Sequence, residues 1–208
     1  MARSTPSQAS DSPRDAVVLL KQDHRMVEAL FDEFEDAEES EQSAIAERVC
    51  QLLTVHAQIE EEILYPAAKQ ALEDEEEGSE LVNEAEVEHA SAKELIAKIE
   101  AMSVDDENFK ATVKVLGEYI KHHVKEEEGE LFPKLKKTEL DLKDMGVQLA
   151  DRKFALMEEM GIAQEEEQPE TRKRSSGARS NRGGARGRQG SRAAGRKSSR
   201  SSGARARH

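Results

Sequence analysis

The sequence predicts an all-α protein, an up-down-up-down four-helix bundle with an extra C-terminal helix and a disordered basic tail. Three observations predict it. The stretch from about residue 11 to 162 is rich in Ala, Leu, Glu and Lys, and poor in Gly and Pro. Strand-like alternation is almost absent from it. Four segments repeat apolar residues at steps of three and four, which is one face of a helix.

The first segment is read as starting at Ser12-Pro13, an N-cap followed by Pro at the first helical position, with Asp15 placed for a capping box. Its stripe runs Val17, Leu20, His24, Val27, Phe31, Phe34. The second stripe is Ile45, Val49, Leu52, His56, Ile59, Ile63, and the third is Val82, Ala85, His89, Ala92, Ile96, Ile99. The fourth is Phe109, Val113, Leu116, Ile120, His123, Glu127. Polar runs at 36–43, 73–79 and 103–108 are predicted to be the loops. A weaker fifth segment, roughly 139–160 with Leu140, Val147, Leu149, Phe154 and Leu156, is expected to pack on the outside. The predicted organisation is a flexible N-terminus (1–11), the bundle with its added helix (12–162) and a tail (163–208).

Charge is divided unevenly. The whole chain carries a formal −13 over 208 residues. Residues 172–208 hold 13 Lys or Arg and no acid, leaving the rest at −26. The tail has no Leu, Ile, Val or aromatic residue, so it cannot bury enough apolar surface to offset its ordering entropy. Its Arg-rich, Gly/Ser-spaced composition fits weak, salt-sensitive contact with nucleic-acid phosphates, or an unstructured tail lying on the acidic body. Interleaved aromatics are missing, so base stacking is not indicated. No apolar run is long enough to span a membrane, and residues 1–15 show no apolar signal core. The single cysteine, Cys50, is read as a small core residue and excludes an internal disulfide. A cytoplasmic location is expected.

The chemistry lies in the stripes. Each contains one histidine: His24, His56, His89 and His123. Two are followed by a glutamate one turn on, giving His56-x-x-x-Glu60 and His123-x-x-x-Glu127. In antiparallel neighbours, residues equidistant from the joining loop lie level. The midpoints of 24/56, 56/89 and 89/123 fall at 40, 72.5 and 106, each in or at the edge of a predicted loop. The four imidazoles should therefore share one layer, where hydrogen bonding alone would hardly satisfy them. Taken singly, such a histidine is an ordinary core residue; the joint pattern points to cations. An ungapped internal repeat aligns 56–66 with 123–133. The repeat implies a pseudo-two-fold arrangement, with two metal ions bridged by Glu60 and Glu127. Four imidazoles and two carboxylates suit iron, manganese or zinc, and are too nitrogen-rich for magnesium or calcium.

Asp23-His24-Arg25, His56-x-x-x-Glu60-Glu61 with Leu64-Tyr65-Pro66, Glu88-His89, and His122-His123-Val124-x-Glu126-Glu127 with Leu131-Phe132-Pro133 together resemble the hemerythrin-like, HHE cation-binding domain family over about residues 13–160. The resemblance implies a non-heme di-iron centre that binds or reacts with O2, and in some members peroxide or NO. It implies bridging roles for Glu60 and Glu127. Family members that carry oxygen reversibly have a fifth histidine one turn after the third-helix ligand; here that position is Lys93. Counting donors gives four per metal, or five with an oxo or hydroxo bridge, so both ions would keep an open position. Sensing, storage or detoxification then fits better than carriage. Tyr119 and Glu86, each one turn before a predicted ligand, are candidates to fill one place. His122 lies about 100° around the helix from His123 and is read as surface or supporting. Glu61, Glu62, Glu126 and Glu128 read as a solvated acidic face, any of which could orient a ligand imidazole. Tyr65-Pro66 and Phe132-Pro133 read as packing and helix-shaping devices. The alternatives are a zinc- or manganese-binding structural bundle, or a nucleic-acid-associated protein using its basic tail.

Overall fold

A computed structural model describes residues 15–162 of the chain. All of them fall within one compact unit. The expectations for residues 1–11 and for the basic tail concern residues outside the described range. The elements are α1 (Ala16–Asp36), α2 (Glu39–Ile59), a π turn (Glu60–Leu64), α3 (Tyr65–Ala71), α4 (Glu76–Ala101), α5 (Phe109–Glu126), a second π turn (Glu127–Leu131), α6 (Phe132–Leu135) and α7 (Leu142–Glu159). Among the described residues there is no strand, and no helix is long and apolar enough to cross a membrane.

α1 begins at a different cap from the one expected. Asp15 is itself the N-cap, its carboxylate accepting from the Val17 N–H at 3.0 Å. Ser12 and Pro13 lie outside the described residues.

The first two loops are shorter than the polar runs implied. α2 starts at Glu39. Gln42, buried, donates its amide to the carbonyls of Phe34 (3.2 Å) and Ala37 (3.4 Å). Those bonds serve the carbonyls at the end of α1 that have no helical partner, so residues 39–43 gain more as helix than as loop. The same happens at 76–79. Ser79 Oγ donates to the Leu72 carbonyl at 3.1 Å, and Gly78 lets α4 start against Leu72, where a Cβ would meet side-chain atoms at 3.0 Å.

The four long helices pack in a ring: α1 on α2, α2 on α4, α4 on α5 and α5 on α1. At the α1–α5 contact, Gly117 admits the Phe31 ring, which a Cβ would touch at 3.1 Å. Val17, Leu20, Val49, Ile59, Val82, Val113 and Leu116 are all almost fully buried in the ring's interior. Cys50 is buried too, and burial pushes its thiol up to about 12.

α7 lies against α1 and α2. It buries Met145, Leu149, Leu156 and Met157, not the whole expected stripe, because Phe154 is 54% exposed and Val147 is 36% exposed. The true stripe is 145, 149, 156 and 157, which keeps one face of the helix; 147 and 154 fall off it.

Each π turn ends two residues before a proline. Pro66 and Pro133 have no N–H for the usual bond to the fourth residue back, and their rings crowd that carbonyl. The residue ahead of each proline bonds one residue further back instead: Tyr65 N–H to the Glu60 carbonyl, and Phe132 N–H to the Glu127 carbonyl. Each wide turn adds one residue to the helical repeat. Leu64 and Leu131 are therefore driven inward, with exposures of 0% and 1%. Ile63, assigned inward from the periodicity, is only half-buried.

Candidate metal centre

The first link is positional. The stripes of α1, α2, α4 and α5 bring His24, His56, His89 and His123 to one level, all buried. His24 Nε2 is 3.1 Å from His56 Nε2, and His89 Nε2 is 3.3 Å from His123 Nε2. Glu60 and Glu127, at the start of the two π turns, enter between these pairs. Glu60 Oε2 is 3.2 Å from His56 Nε2 and 3.4 Å from His89 Nε2. Glu127 Oε2 is 3.3 Å from His24 Nε2 and 4.0 Å from His123 Nε2. Each carboxylate thus approaches one imidazole from either half. His24, His56, Glu60 and Glu127 form one cluster and Glu60, His89 and His123 another, with every donor atom in a cluster within 4.8 Å of the rest.

The outward ring nitrogens all face carboxylates. His24 Nδ1 is 2.9 Å from Glu128, His89 Nδ1 is 3.2 Å from Glu61, and His123 Nδ1 is 2.8 Å from Glu88. His56 Nδ1 stands further off, 3.6 Å from Asp23. The arrangement repeats between the halves: Glu61 and Glu128 follow equivalent glutamates, and Asp23 and Glu88 precede equivalent histidines. Lysines hold three of these carboxylates in turn: Lys21 on Glu128 (2.7 Å), Lys93 on Glu61 (2.5 Å) and Lys153 of α7 on Asp23 (2.5 Å). Where Nδ1 donates outward, as the contacts of His24, His89 and His123 allow, the neutral imidazole turns its Nε2 lone pair inward. Two such lone pairs about 3 Å apart repel each other unless a proton or a cation lies between them.

Electrostatics favour the neutral form at His56 and His89, whereas at His24 burial is outweighed by Glu127 and Glu128, which raise its pKa. Burial and the neighbouring His123 drive His89 down to about 3. Burial also lowers His56. Burial, then the charge of Glu127, holds Glu60 well above the ordinary carboxylate range. Burial pushes Glu127 the same way, but His24 close beside it and the fields of the surrounding histidines overcome it and hold Glu127 down to about 2. Both oxygens of Glu60 and Oε2 of Glu127 are buried without a hydrogen-bond partner among the described residues. Such groups cost on the order of 1–3 kcal/mol each when left unsatisfied. Converging imidazole nitrogens and unpaired buried carboxylate oxygens are the donor set that a first-row cation takes, so the residues fit a metal.

Two residues named for the remaining coordination place are elsewhere. Glu86 is exposed and paired with Lys69 at 2.7 Å. Tyr119 is only half-buried and belongs to neither cluster. The side chain that does reach in is Tyr65, fully buried, its hydroxyl 3.2 Å from His89 Nε2 and 3.4 Å from Glu127 Oε1. Burial, reinforced by Glu60 and Glu127, holds its phenol well above the ordinary range. Its repeat partner, Phe132, lies parallel to the His24 ring with centroids 6.1 Å apart and has no hydroxyl. The signal was in the sequence: of two aligned aromatic-Pro pairs, only one can donate oxygen. Of the acidic face, Glu62 pairs with Arg152 of α7 at 2.5 Å and Glu126 with His122 at 3.3 Å, whereas Glu61 and Glu128 turn in to the histidines.

Fold and cluster together define a helical protein built around a buried, histidine-rich site of the kind that takes cations. The hemerythrin HHE cation binding domain family matches residues 15–135, more than half the chain, and the chain belongs to that family. A solved structure, a hemerythrin HHE cation binding domain-containing protein from Mycobacterium kansasii, shares the fold. Its TM-score is 0.60 at 20% identity, over 70% of this chain and 89% of that one. A DNA nickase from Nostoc sp. is 32% identical over 117 residues, covering 55% of this chain and 31% of the Nostoc protein. The chain therefore spans under a third of that relative's length.

Proposed function

We propose that this protein is a non-heme di-iron protein that binds or reacts with a small ligand of the O2, NO or peroxide class. His24, His56, Glu60, His89, His123 and Glu127 are the proposed ligands, in an up-down-up-down bundle whose direction changes rest on the short connections between the long helices. The observation that carries the reading is the pair of glutamates, each lying between one histidine of either half, with both oxygens of Glu60 and the inward Oε2 of Glu127 buried without a hydrogen bond. A cavity of about 20 Å³ beside the cluster is lined by all four histidines and by Val27, Leu53 and Ile96, among others. That is room for one water or one diatomic molecule. A larger cleft of about 500 Å³ between α1 and α5 reaches His24 from outside.

Bound iron would supply the electron exchange with the ligand. The chain's part is to exclude bulk water, to hold the imidazoles aimed inward, and to keep a phenolic proton at Tyr65 next to His89. The test is purified full-length protein with iron quantified, then exposed in turn to O2, NO and peroxide. We expect about two irons per chain, the near-UV absorption of a bridged ferric pair, and a spectral change with at least one of the three. Zinc or manganese retained instead, with no change on exposure, would favour the structural alternative.

A second reading concerns residues 172–208. Their +13 charge, and a family relative described as a DNA nickase, favour contact with nucleic-acid phosphates. Affinity for random DNA should fall steeply as salt rises. Deleting 172–208 should abolish it; retention by the shortened chain would end this reading.

A further inference from the structure

The two halves of the centre differ on their outer side. In the first half, α7 covers the helix face beyond His56, and the positions equivalent to His122 and Glu126 are Val55 and Ile59, both 0% exposed. In the second half that face is open. His122, 58% exposed at its side chain, stands there with its Nε2 3.3 Å from Glu126 and 3.8 Å from Glu88 Oε1. Glu88 is nine-tenths buried and faces both ways: Oε2 accepts from His123 Nδ1 at 2.8 Å, while Oε1 is too far from His122 for a hydrogen bond. Donor atoms of all three side chains lie within 4.8 Å of one another.

The spacing suits a cation better than a proton. Ligand atoms about 2.0–2.2 Å from a first-row ion lie roughly 3.0–3.5 Å apart; the His122–Glu126 separation of 3.3 Å falls in that range, and the 3.8 Å to Glu88 lies just beyond it. One imidazole with two carboxylates also leaves places for water, which an incoming aqua ion requires. Behind the cluster a cavity of about 10 Å³ is lined by Glu88 and Glu126 on one side and His123 and Glu127 on the other. It is close to the size of a single water. One small void thus joins an exposed donor set to a buried one.

We propose that Glu88, His122 and Glu126 form an outer divalent-cation site through which metal enters the buried centre. The outer set holds a partly hydrated first-row cation by His122 and Glu126, with Glu88 shared between it and His123. The delivery role rests on the proposed interior centre; the outer site itself does not.

The test uses cobalt(II) with full-length metal-free protein, following visible absorption in time and bound metal by equilibrium dialysis. The variants are His122→Ala with Glu126→Gln, and, as a charge control, Glu130→Gln on the exposed surface. Wild type is expected to bind one weak equivalent beyond its tight ones. The double variant should weaken that equivalent about tenfold or more, and fill the interior several-fold more slowly to the same final level. Glu130→Gln should change neither. A double variant that keeps the weak equivalent, or that fills at the wild-type rate, overturns the proposal. So does an equal slowing by Glu130→Gln, which would mean diffuse charge attraction. If the interior takes up no metal in any protein, the di-iron reading fails, while gain and loss of the weak equivalent still decide the outer site.

Discussion

Replacing Glu60 by Gln is expected to reduce metal binding from two ions per chain to one or none while leaving the metal-free fold as stable as before or more so. Glu60 is fully buried, between His56 and His89, with neither oxygen hydrogen-bonded. In the metal-free chain it is a liability, and an amide of the same shape removes the charge without leaving a hole. The amide relieves the cost of ionising a carboxyl that burial and Glu127 hold well above its ordinary range. With metal the sign reverses, because ligands at a thousandfold excess over Kd contribute about 4 kcal/mol of stability that the variant would lack. The pH dependence follows. Glu60 is held well above its ordinary 4.5 by burial and then by Glu127. The folded chain therefore keeps a proton that the unfolded chain releases. Stability from this group is full below about pH 4.5 and is lost as pH rises through the elevated folded value. Glu127, held at about 2, works the other way: its contribution is present above 4.5 and is lost as pH falls towards 2. Denaturant unfolding in chelator from pH 4 to 8 should show the falling limb in wild type and its removal in Glu60→Gln. Two tightly bound ions in the variant would sink the assignment.

Replacing Tyr65 by Phe is expected to convert the second half of the centre into a copy of the first. Phe132 already occupies the matching place, fully buried, so the variant should fold with unchanged stability in chelator. In the iron-loaded protein the effect should be large. The protonated hydroxyl of Tyr65 bears on both His89 and Glu127, so its loss should shift the near-UV absorption of the loaded protein. Affinity for the second ion should drop about 10- to 100-fold, the range seen when a supporting group at a metal site is removed. If Tyr65 only packs, the spectra of the two iron-loaded proteins will coincide and their affinities for the second ion will match.

The all-α class and the level placement of the four histidines were legible because period and loop spacing are long-range regularities that survive local error. What surrounds them was less legible for definite reasons. Asp23, Glu61, Glu88 and Glu128 sit one position off the stripes, where a carboxylate on a helix is usually solvated. Only the assembled bundle shows each facing an Nδ1 nitrogen. Tyr65 was read as packing, since an unbroken helical count from His56 places it on the opposite face; the wide turn brings its hydroxyl round to His89. Ile63 was assigned inward by a strict 3.6-residue count, which fails past a proline-induced wide turn. α7 was misread through Phe154, an aromatic that the fold leaves exposed. Lys93 replaces the fifth histidine of the oxygen carriers, but its role came only with the coordinates: it anchors Glu61 behind His89.

The paired wide turns carry a consequence for how this chain tolerates change. Upstream of each, the histidine and glutamate are in phase with the helix; downstream, the tyrosine or phenylalanine is in phase only because of the added residue. Removing a single amino acid there would restore an unbroken spiral and turn everything beyond it by about 100°, carrying Tyr65 off the interior while leaving helix content untouched. Length at these two places is thus held more tightly than identity. A chain shortened there would look like kin by composition and by shape, and be unable to hold its ions.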